Sequence, residues 1–414
     1  MGKIAQEYTQ SLILKSIEEL SLKYNLQNLD AFGNLRVSMG GNRFDSEFTF
    51  DTLEEVIDEV VSGAGTASHQ TNTRDVILAN VATGLTDYAG LHSYPVPYTP
   101  GNSQLIDITA VLDNAAIGGG TAQLFLRTKI SGSVAETIKD QADWDFPNND
   151  LDWTFSQIFM IDFQSLKVGR IRYCLNRGGV ATCVHAFEND NVRNSGYWQT
   201  PSLPAYWRIY NDATYTYMEC GYGDTNNAVG FRYKIAKNVL ATMKAICVTV
   251  KSEGGKALED MSGYPQAIDM GVTTKTVAAS IIPLIAIRQR TTFNSLDNNS
   301  IAIPTSLTVQ VNNPIRLIVI HDCVLTGAAW TNVDTDHSTI EYDVTASSYS
   351  NGHIIDSEYV ATSKNIPASA NKLLGKAVLW NRKSTETGIL LVAAIRTTGT
   401  SSDTLVGIKW NEIR

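Results

Sequence analysis

Few residues of the sequence combine the type and the spacing that catalysis or metal binding requires. The strongest pair is His321 and Cys323, which flank Asp322. Neighbouring side chains on a strand point to opposite faces, so His321 and Cys323 would share a face that Asp322 does not. This arrangement fits half of a metal site, but a buried thiol beside a partly exposed histidine is the commoner structure. Because no HxH or HExxH pattern occurs among the six histidines, we expect no bound metal.

Other catalytic signatures are also missing from the sequence. The GGG run at 118–120 precedes the strand pattern TAQLFLRT, whereas a phosphate-binding loop continues into GK[ST] and a helix. It therefore predicts a hairpin turn. No GxSxG motif occurs, and no spacing selects two carboxylates as a glycosidase pair. We predict that the chain is not an enzyme and uses no cofactor.

Aromatic residues form the most distinctive local composition, in the segment GYWQTPSLPAYWRIYND at 196–212. The candidate residues are Tyr197, Trp198, Tyr206 and Trp207. Large aromatic side chains favour either core and subunit packing or an exposed recognition surface, for example for sugars. Trp207 alternates with Tyr206, as in a half-buried strand, which favours packing. The recognition surface is kept as the alternative.

Composition excludes several classes of protein. The chain has 414 residues, 43% of them hydrophobic, and a formal net charge of −9. It has enough apolar residues for a core, and its negative charge argues against nucleic-acid binding. No apolar run reaches the length of a membrane span. The five cysteines include no CxxC pair, so we expect reduced, buried thiols and synthesis in a cytoplasm.

The N-terminus carries the best helical pattern of the sequence. Apolar residues spaced 4, 3 and 4 apart predict a helix within residues 3–29 with one apolar stripe, formed by Ile13, Ile17, Leu20 and Tyr24. Such a stripe packs either on its own domain or on neighbouring copies of the chain. We treat residues 1–29 as a candidate attachment arm and oligomerisation helix.

From about residue 66 onward the sequence has the texture of an all-β protein. Short stretches rich in Val, Ile, Thr and Tyr alternate with Gly, Asn and Ser clusters, a pattern typical of β-sandwiches. The segment RIRYCLN–RGG–VATCVHAF, at 170–187, predicts a hairpin. The segment 50–63 has helical spacing and a capping box, and we predict a helix there, although its β-branched residues also suit a strand.

These elements predict one or two jelly-roll-like β-sandwich units behind the N-terminal helix. The polar, glycine-bearing stretch at 251–280 is the most plausible joint. We therefore assign residues 1–29 to the arm and residues 30–255 to a first sandwich. Residues 256–414 form a second sandwich or the return half of the first.

A series of motifs runs in consistent order through the chain. The series comprises DAFGNLRVS (30–38), FD (44–45), SGAGTA (62–67), YTPGNSQLI (98–106), QADWDF (141–146), QIFMIDFQSLKVGRIRY (157–173), VHAFEND (184–190), TPSLPAYWRI (200–209), KSEGG (251–255), IIPLIAIR (281–288), IEYDV (340–344) and GTSSDTLVGIKWNEI (399–413). Together they resemble a family of virion structural proteins of tailed bacteriophages and some large DNA viruses. Members of that family typically carry DAFGRLRVS, QADWNLDKLDGTG, QIFVIDFEWLGVGRVRFG and TPNLPVRYEI.

Departures from the family pattern fall mainly at positions that the sequence marks as loops or surface. Asn34 replaces an arginine, PNNDLDW replaces DKLDGTG, and Gln164–Ser165 replaces Glu-Trp. The apolar pattern of the strands persists. The resemblance thus implies a retained scaffold with altered surfaces, and it brings no catalytic residues with it.

The resemblance implies a structural role in a virion. We expect a head, collar or tail projection, with the chain made in the host cytoplasm and assembled as a homo-oligomer, preferably a trimer. The N-terminal arm would contact other virion proteins. Two alternatives stay open: a module that binds host glycans through the aromatic segment, and a polysaccharide depolymerase.

Overall fold

The computed structural model describes most of the chain from Gly41 onward. The described residues are 41–51, 56–80, 87–99, 102–113, 118–130, 133–146, 151–163, 168–198, 200–237, 239–252, 263–361, 364–367, 378–381 and 388–414. The predicted helix with Ile13, Ile17, Leu20 and Tyr24 lies outside them. Within these residues no helix has the length and apolar character needed to cross a membrane.

The all-β prediction is confirmed, since the described chain consists of strands and a single short 3-10 helix at Gln141–Asp143. The strands up to residue 252 are β1 (Gly41–Glu47), β2 (Ile57–Ser62), β3 (Thr66–Gln70), β4 (Asp75–Asn80), β5 (Tyr88–Ser93), β6 (Gln104–Val111), β7 (Thr121–Ile130), β8 (Ser133–Asp140), β9 (Gln157–Phe163), β10 (Ile171–Arg177), β11 (Val180–Phe187), β12 (Ala205–Asn211), β13 (Tyr215–Gly223), β14 (Ala228–Ala236) and β15 (Ala241–Ser252). They form two antiparallel sheets. One has the order β11-β10-β9-β6-β15-β4-β3 with β1 also paired to β15, and the other has the order β2-β5-β12-β13-β14-β7-β8.

A second pair of sheets contains the strands that follow. They are β16 (Tyr264–Asp269), β17 (Lys275–Val277), β18 (Ile282–Gln289), β19 (Thr292–Phe293), β20 (Leu296–Asp297), β21 (Ile301–Val311), β22 (Ile315–Thr326), β23 (Thr331–Asn332), β24 (Ile340–Asp343), β25 (Ser348–Val360), β26 (Lys364–Pro367), β27 (Ile389–Arg396) and β28 (Ser402–Ile413). One sheet has the order β16-β28-β21-β26 with β17 also on β28, and the other has the order β23-β24-β18-β27-β22-β25. Strands β19 and β20 form a separate hairpin.

The first sandwich is held by aromatic packing and by hydrogen bonds that cross from sheet to sheet. The rings of Phe159 and Phe231, from opposite sheets, lie 4.6 Å apart. Tyr173 donates its hydroxyl to the carbonyl of Phe125 at 2.6 Å, and Trp207 donates its indole N–H to the carbonyl of Thr109 at 3.2 Å. Each buried polar tip is thereby satisfied where it would otherwise destabilise the core.

The two sandwiches share a continuous apolar boundary. Ile303, Trp380 and Ile413 follow residue 252 in sequence but belong to the same core cluster as the first sandwich. The ring of Trp380 lies 6.4 Å from that of Tyr94. A separate core built around Trp410 fills the second sandwich. This shared packing joins the second pair of sheets to the first.

The prediction of a helix at 50–63 is wrong for the second half of that segment. Ile57–Ser62 forms β2 and pairs with β5 along its whole length. Ile57, Val60 and Val61 are β-branched, and such side chains favour a strand once a partner strand is present. Tertiary pairing therefore overrides the local helical spacing.

The hairpin predicted at 170–187 is confirmed. Arg177 pairs with Val180, which leaves a two-residue loop of Gly178 and Gly179 with φ angles of 60° and 82°. Two positive φ angles define the turn whose twist matches that of the flanking strands. Glycine adopts them without steric strain.

The expectation of reduced cysteines is wrong for one pair. Cys174 on β10 and Cys183 on β11 form a disulfide. A bulge between Tyr173 and Cys174 shifts the register by one residue and brings Cys174 opposite Cys183. A regular ladder would have placed it opposite Val184. Cys220, Cys247 and Cys323 are free thiols.

Thiol titration checks this pairing. In protein purified without reductant and then denatured, we expect three reactive thiols, those of Cys220, Cys247 and Cys323, and five after reduction. A Cys183→Ser variant should expose Cys174 and raise the unreduced count by one. Five reactive thiols in the unreduced, oxidatively purified protein would contradict the disulfide.

Candidate functional site: a buried arginine–glutamate network

The four candidate aromatic residues are buried, Tyr197, Trp198 and Trp207 in the core between the two sheets and Tyr206 against Phe125 and Ala228 on the other face of its sheet. Tyr197, Tyr206 and Trp207 have no exposed area, and Trp198 is 2% exposed. Trp198 donates its indole N–H to the carbonyl of Arg127 at 3.2 Å. Of the two interpretations of this segment, the structure shows core packing. An exposed sugar-binding surface at these residues is excluded, because their rings are enclosed within the chain itself.

Charged residues that sequence reasoning missed meet on the sheet that contains β12, β13 and β14. Arg208, Glu219 and Arg232 lie directly opposite one another on these three adjacent strands. Their sequence neighbours, such as Trp207 and Phe231, face the core. Because side chains alternate along a strand, the three charges occupy the sheet face that points away from the core.

Glu219 is the centre of this group and is fully buried. Arg208 donates from Nε to its Oε2 at 2.7 Å, and Arg232 donates from Nε to its Oε1 at 2.6 Å. Tyr210 donates its hydroxyl to Oε1 at 2.8 Å, and Arg127 approaches the same oxygen at 3.4 Å. Both carboxylate oxygens are thus held by charge-assisted hydrogen bonds, the strongest ordinary kind.

A second carboxylate joins the group from the edge strand β8. Arg127 donates from Nε to Oε1 of Glu136 at 2.7 Å. Arg232 donates to both oxygens of Glu136, at 2.9 and 3.1 Å. We call Arg127, Glu136, Arg208, Glu219 and Arg232 the arginine–glutamate network. It ties five strands together, β7, β8, β12, β13 and β14, through side chains as well as through the backbone.

Aromatic rings separate the guanidinium groups of the network. Arg208 lies over the rings of Tyr206 at 4.5 Å and Tyr210 at 5.4 Å. Arg232 lies over Phe125 at 4.4 Å and Tyr217 at 4.8 Å. A guanidinium stacked on a ring is favourable when desolvated. The rings therefore let three like charges lie close together.

The protonation states of the network are fixed by these contacts. Burial alone would raise the pKa of Glu219, but the charges of Arg208, Arg232 and Arg127 outweigh it and hold the pKa well below its ordinary value. The pKa of Glu136 is lowered as well. Burial alone would raise it, but the hydrogen bond from Arg232 and the charge of Arg127 outweigh burial. Both carboxylates are ionised near neutral pH.

Chemically, the network holds charge in place and has no proton to transfer. A glycosidase needs one carboxyl group with a raised pKa as its general acid. Neither Glu136 nor Glu219 meets that requirement, and each is engaged by arginines. Within the described residues, no set of three or more His, Cys, Asp or Glu is arranged to hold a metal ion.

The pair His321 and Cys323 lies on β22 and is buried. Asp322 between them has a φ of 57°, so the strand is irregular at this point. The Nδ1 atom of His321 lies 3.1 Å from Asp322 Oδ2. Burial raises the pKa of the Cys323 thiol to about 11, which keeps it protonated and unreactive at neutral pH.

Comparison with known proteins gives limited similarity. No protein-family model matches the chain, and a search of curated proteins found no match. Three solved structures match about half of the chain. A glycoside hydrolase family 16 endo-glucanase from Bacteroides ovatus is 10% identical, with a TM-score of 0.19, and the match covers 50% of this chain and 99% of the other.

An endo-1,3-beta-glucanase from Streptomyces sioyaensis is 10% identical, with a TM-score of 0.24 and coverage of 51% and 96%. The lectin UEA-II, solved with galactose, is 12% identical, with a TM-score of 0.20 and coverage of 51% and 100%. At these TM-scores the likenesses carry no argument about what this chain does. Its function is therefore argued from its own residues.

Removal of the central carboxylate should destabilise the protein strongly. We expect Glu219→Gln to lower the free energy of unfolding by roughly 3–5 kcal/mol, because buried arginine charges are left uncompensated. Glu358→Gln is the matched control. Glu358 pairs with Lys364, both are more than a third exposed, and an exposed pair contributes about 0–1 kcal/mol. Urea unfolding of the two variants measures the difference, and equal losses would contradict the central role of Glu219.

Low pH should destabilise the folded protein through Glu219. The folded-state pKa of Glu219 lies below its ordinary value of 4.5, so the unfolded chain binds the proton more readily. The stability contributed by Glu219 is complete above pH 4.5 and is lost progressively as the pH falls below it. We expect unfolding free energies between neutral pH and pH 3 to fall more steeply in the wild type than in Glu219→Gln. Parallel curves would contradict this assignment.

Proposed function

We propose that this chain is a non-enzymatic structural protein of a tailed-phage particle, where it forms or decorates a head, collar or tail projection. The observation that carries the proposal is the arginine–glutamate network. The buried charged groups of this network are engaged in mutual hydrogen bonds, and the strands they join belong to one sheet of the first sandwich. Such an arrangement favours durability over turnover.

The motifs that resemble virion proteins coincide with this scaffold. The segment at 157–173 contributes β9 and the start of β10, which pair with each other, and the segment at 200–209 contributes most of β12. The closing segment at 399–413 supplies β28, the strand that pairs with β16, β17 and β21. These three segments supply strands of both sandwiches, whereas the opening motif at 30–38 lies outside the described residues.

A polysaccharide depolymerase receives less support. Its general acid would have to be a carboxyl group with a raised pKa in an accessible place. The two carboxylates gathered on the sheet face have lowered pKa values instead. The glycan-binding alternative also loses its original platform, since the rings of Tyr197, Trp198, Tyr206 and Trp207 are buried.

Immunolabelling of particles tests the proposed place of the protein. Antibody against the chain should label intact, purified particles of the phage that encodes it, at one repeated position. Labelling should survive washing in high salt, because a structural subunit is held by extended contacts. Detection of the chain in the infected cell but not in purified particles would contradict the proposal.

The oligomer is tested through the N-terminal arm. We expect sedimentation equilibrium of the full chain to give three times its mass of 45.3 kDa. Ile17→Glu places a charge in the apolar stripe and should dissociate the trimer, whereas Lys15→Glu, on the opposite side of the predicted helix, should leave it intact. A monomeric wild type, or a trimer that is indifferent to Ile17→Glu, would contradict this assignment of the arm.

A further inference from the structure

A cleft of about 470 Å³ lies between the two sandwiches. One wall comes from the first sandwich, through Lys129 at the end of β7 and the turn between β13 and β14. The other wall comes from the second sandwich, through the β19–β20 hairpin and the segment that follows it. The volume is within the roughly 300–1,000 Å³ typical of small-ligand sites, and the position between two units is a common place for one.

The wall from the second sandwich is rigidly held. Asn298 is buried, and its amide donates to Gln289 Oε1 at 2.8 Å while its Oδ1 accepts from the backbone N–H of Ser300 at 3.1 Å. Ser300 donates onward to Thr339 at 3.0 Å, and Thr339 donates to the fully buried Glu412 at 3.0 Å. Buried networks that are satisfied in this way fix one geometry. The wall is thus preformed in the absence of a ligand.

The β19–β20 hairpin presents an aromatic ring beside the cleft. Its two turn residues, Asn294 and Ser295, have φ angles of 50° and 63°. Positive φ is unfavourable for a serine, and such strain persists only where the surroundings impose it. The adjacent Phe293 is half-buried, and the guanidinium groups of Arg290 and Arg414 lie 5.3 and 5.1 Å from the centroid of its ring. The turn therefore holds the ring in place at the rim.

The wall from the first sandwich offers half-exposed polar atoms that make no hydrogen bond to another described residue. Asp224 Oδ1 accepts from the backbone N–H groups of Asn226 and Asn227, both at 2.7 Å. Asn227 Oδ1 accepts from the backbone N–H of Lys129 at 3.2 Å. Among the described contacts, the second oxygen of Asp224, the side-chain amide of Asn226 and the ammonium of Lys129 have none. These groups line the cleft.

We propose that this cleft binds a neutral oligosaccharide. Carboxylate and amide groups with free lone pairs and N–H groups match the paired hydroxyls of a sugar, and an aromatic ring beside them packs against the apolar face of the pyranose. The lining carries two cations, Lys129 and Arg414, and two carboxylates, so it has no excess of positive charge to attract an anionic ligand. Arg414 is already bonded to Glu412 at 2.9 Å, and the carboxylates of Asp224 and Asp297 lie on the lining.

This site is independent of the aromatic segment at 196–212 and of any place in a particle. It goes beyond the structural role, since a scaffold does not require unpaired polar groups at the junction of its two sandwiches. The two cations of the lining equal its two carboxylates in number. A phosphate-bearing or strongly acidic ligand would therefore meet carboxylates without a compensating excess of positive charge.

The test begins with the full chain on a printed array of neutral and acidic oligosaccharides. The strongest neutral ligand is then titrated calorimetrically against the wild type and three variants. Asn226→Ala and Asp224→Asn should each weaken binding by about ten-fold or more, because each alters a group that would bond a hydroxyl. Phe293→Ala should do the same through the lost ring contact. Phe155→Ala is the matched control, since Phe155 is 66% exposed and does not line the cleft.

Each outcome of this test either supports or contradicts the cleft as a binding site. Asp224→Asn retains Oδ1 for the two backbone N–H groups of its turn, so it tests binding even if Phe293→Ala impairs folding; the melting temperature of each variant is compared with that of the wild type. Loss of binding in the cleft variants alone supports the site. No neutral glycan bound on the array, a preference for acidic glycans, or unchanged affinity in folded Asn226→Ala and Asp224→Asn would overturn it. None of these results bears on labelling of the particle.

Discussion

A carboxylate removed from water stays ionised only where positive charge and hydrogen-bond donors replace the solvent completely. Glu219 meets this condition on the outward face of its sheet, and much of the first sandwich follows from it. Three arginines must converge on one residue, so β7, β12, β13 and β14 must keep one register. Because removal of any partner leaves a buried charge, a slip of one strand is strongly disfavoured. The network thus reinforces the register that the alternation of core-facing and outward-facing side chains already imposes.

The second sandwich also contains a buried carboxyl group, which is held by a different set of hydrogen-bond donors. Glu412 is fully buried and accepts from Ser338 at 2.5 Å, from the backbone N–H of Thr339 at 2.9 Å and from the indole of Trp410 at 3.1 Å. In each sandwich, therefore, one buried carboxylate organises the strands around it. The two networks differ at the surface. The network of Glu412 continues into the wall of the cleft, and that of Glu219 does not. A rigid body with one preformed recess suits a structural subunit that also recognises a ligand.

Local patterns in the sequence predicted the strands, and long-range pairing decided what could not be predicted. The GG turn at 178–179 and the alternation around Trp207 were sufficient for a hairpin and a strand. The Cys174–Cys183 disulfide depends on a one-residue bulge, and the strand at 57–62 depends on β5, so neither is visible locally. The same holds for Glu219: the segments WRIY, YMECGY and FRYK each place a charge among apolar residues, a usable signal. Their partnership requires knowledge of which strands are neighbours.

Native-state hydrogen exchange, followed by NMR or mass spectrometry, tests most directly whether the arginine–glutamate network is the centre of stability. If it is, the amides of β13 around Glu219 exchange only through global unfolding, with protection equal to the full unfolding free energy. The edge strand β3, which carries no part of the network, exchanges by local opening and supplies the internal reference. Protection of β13 no greater than that of β3 would contradict the account, because the buried charges would then not hold the sheet together.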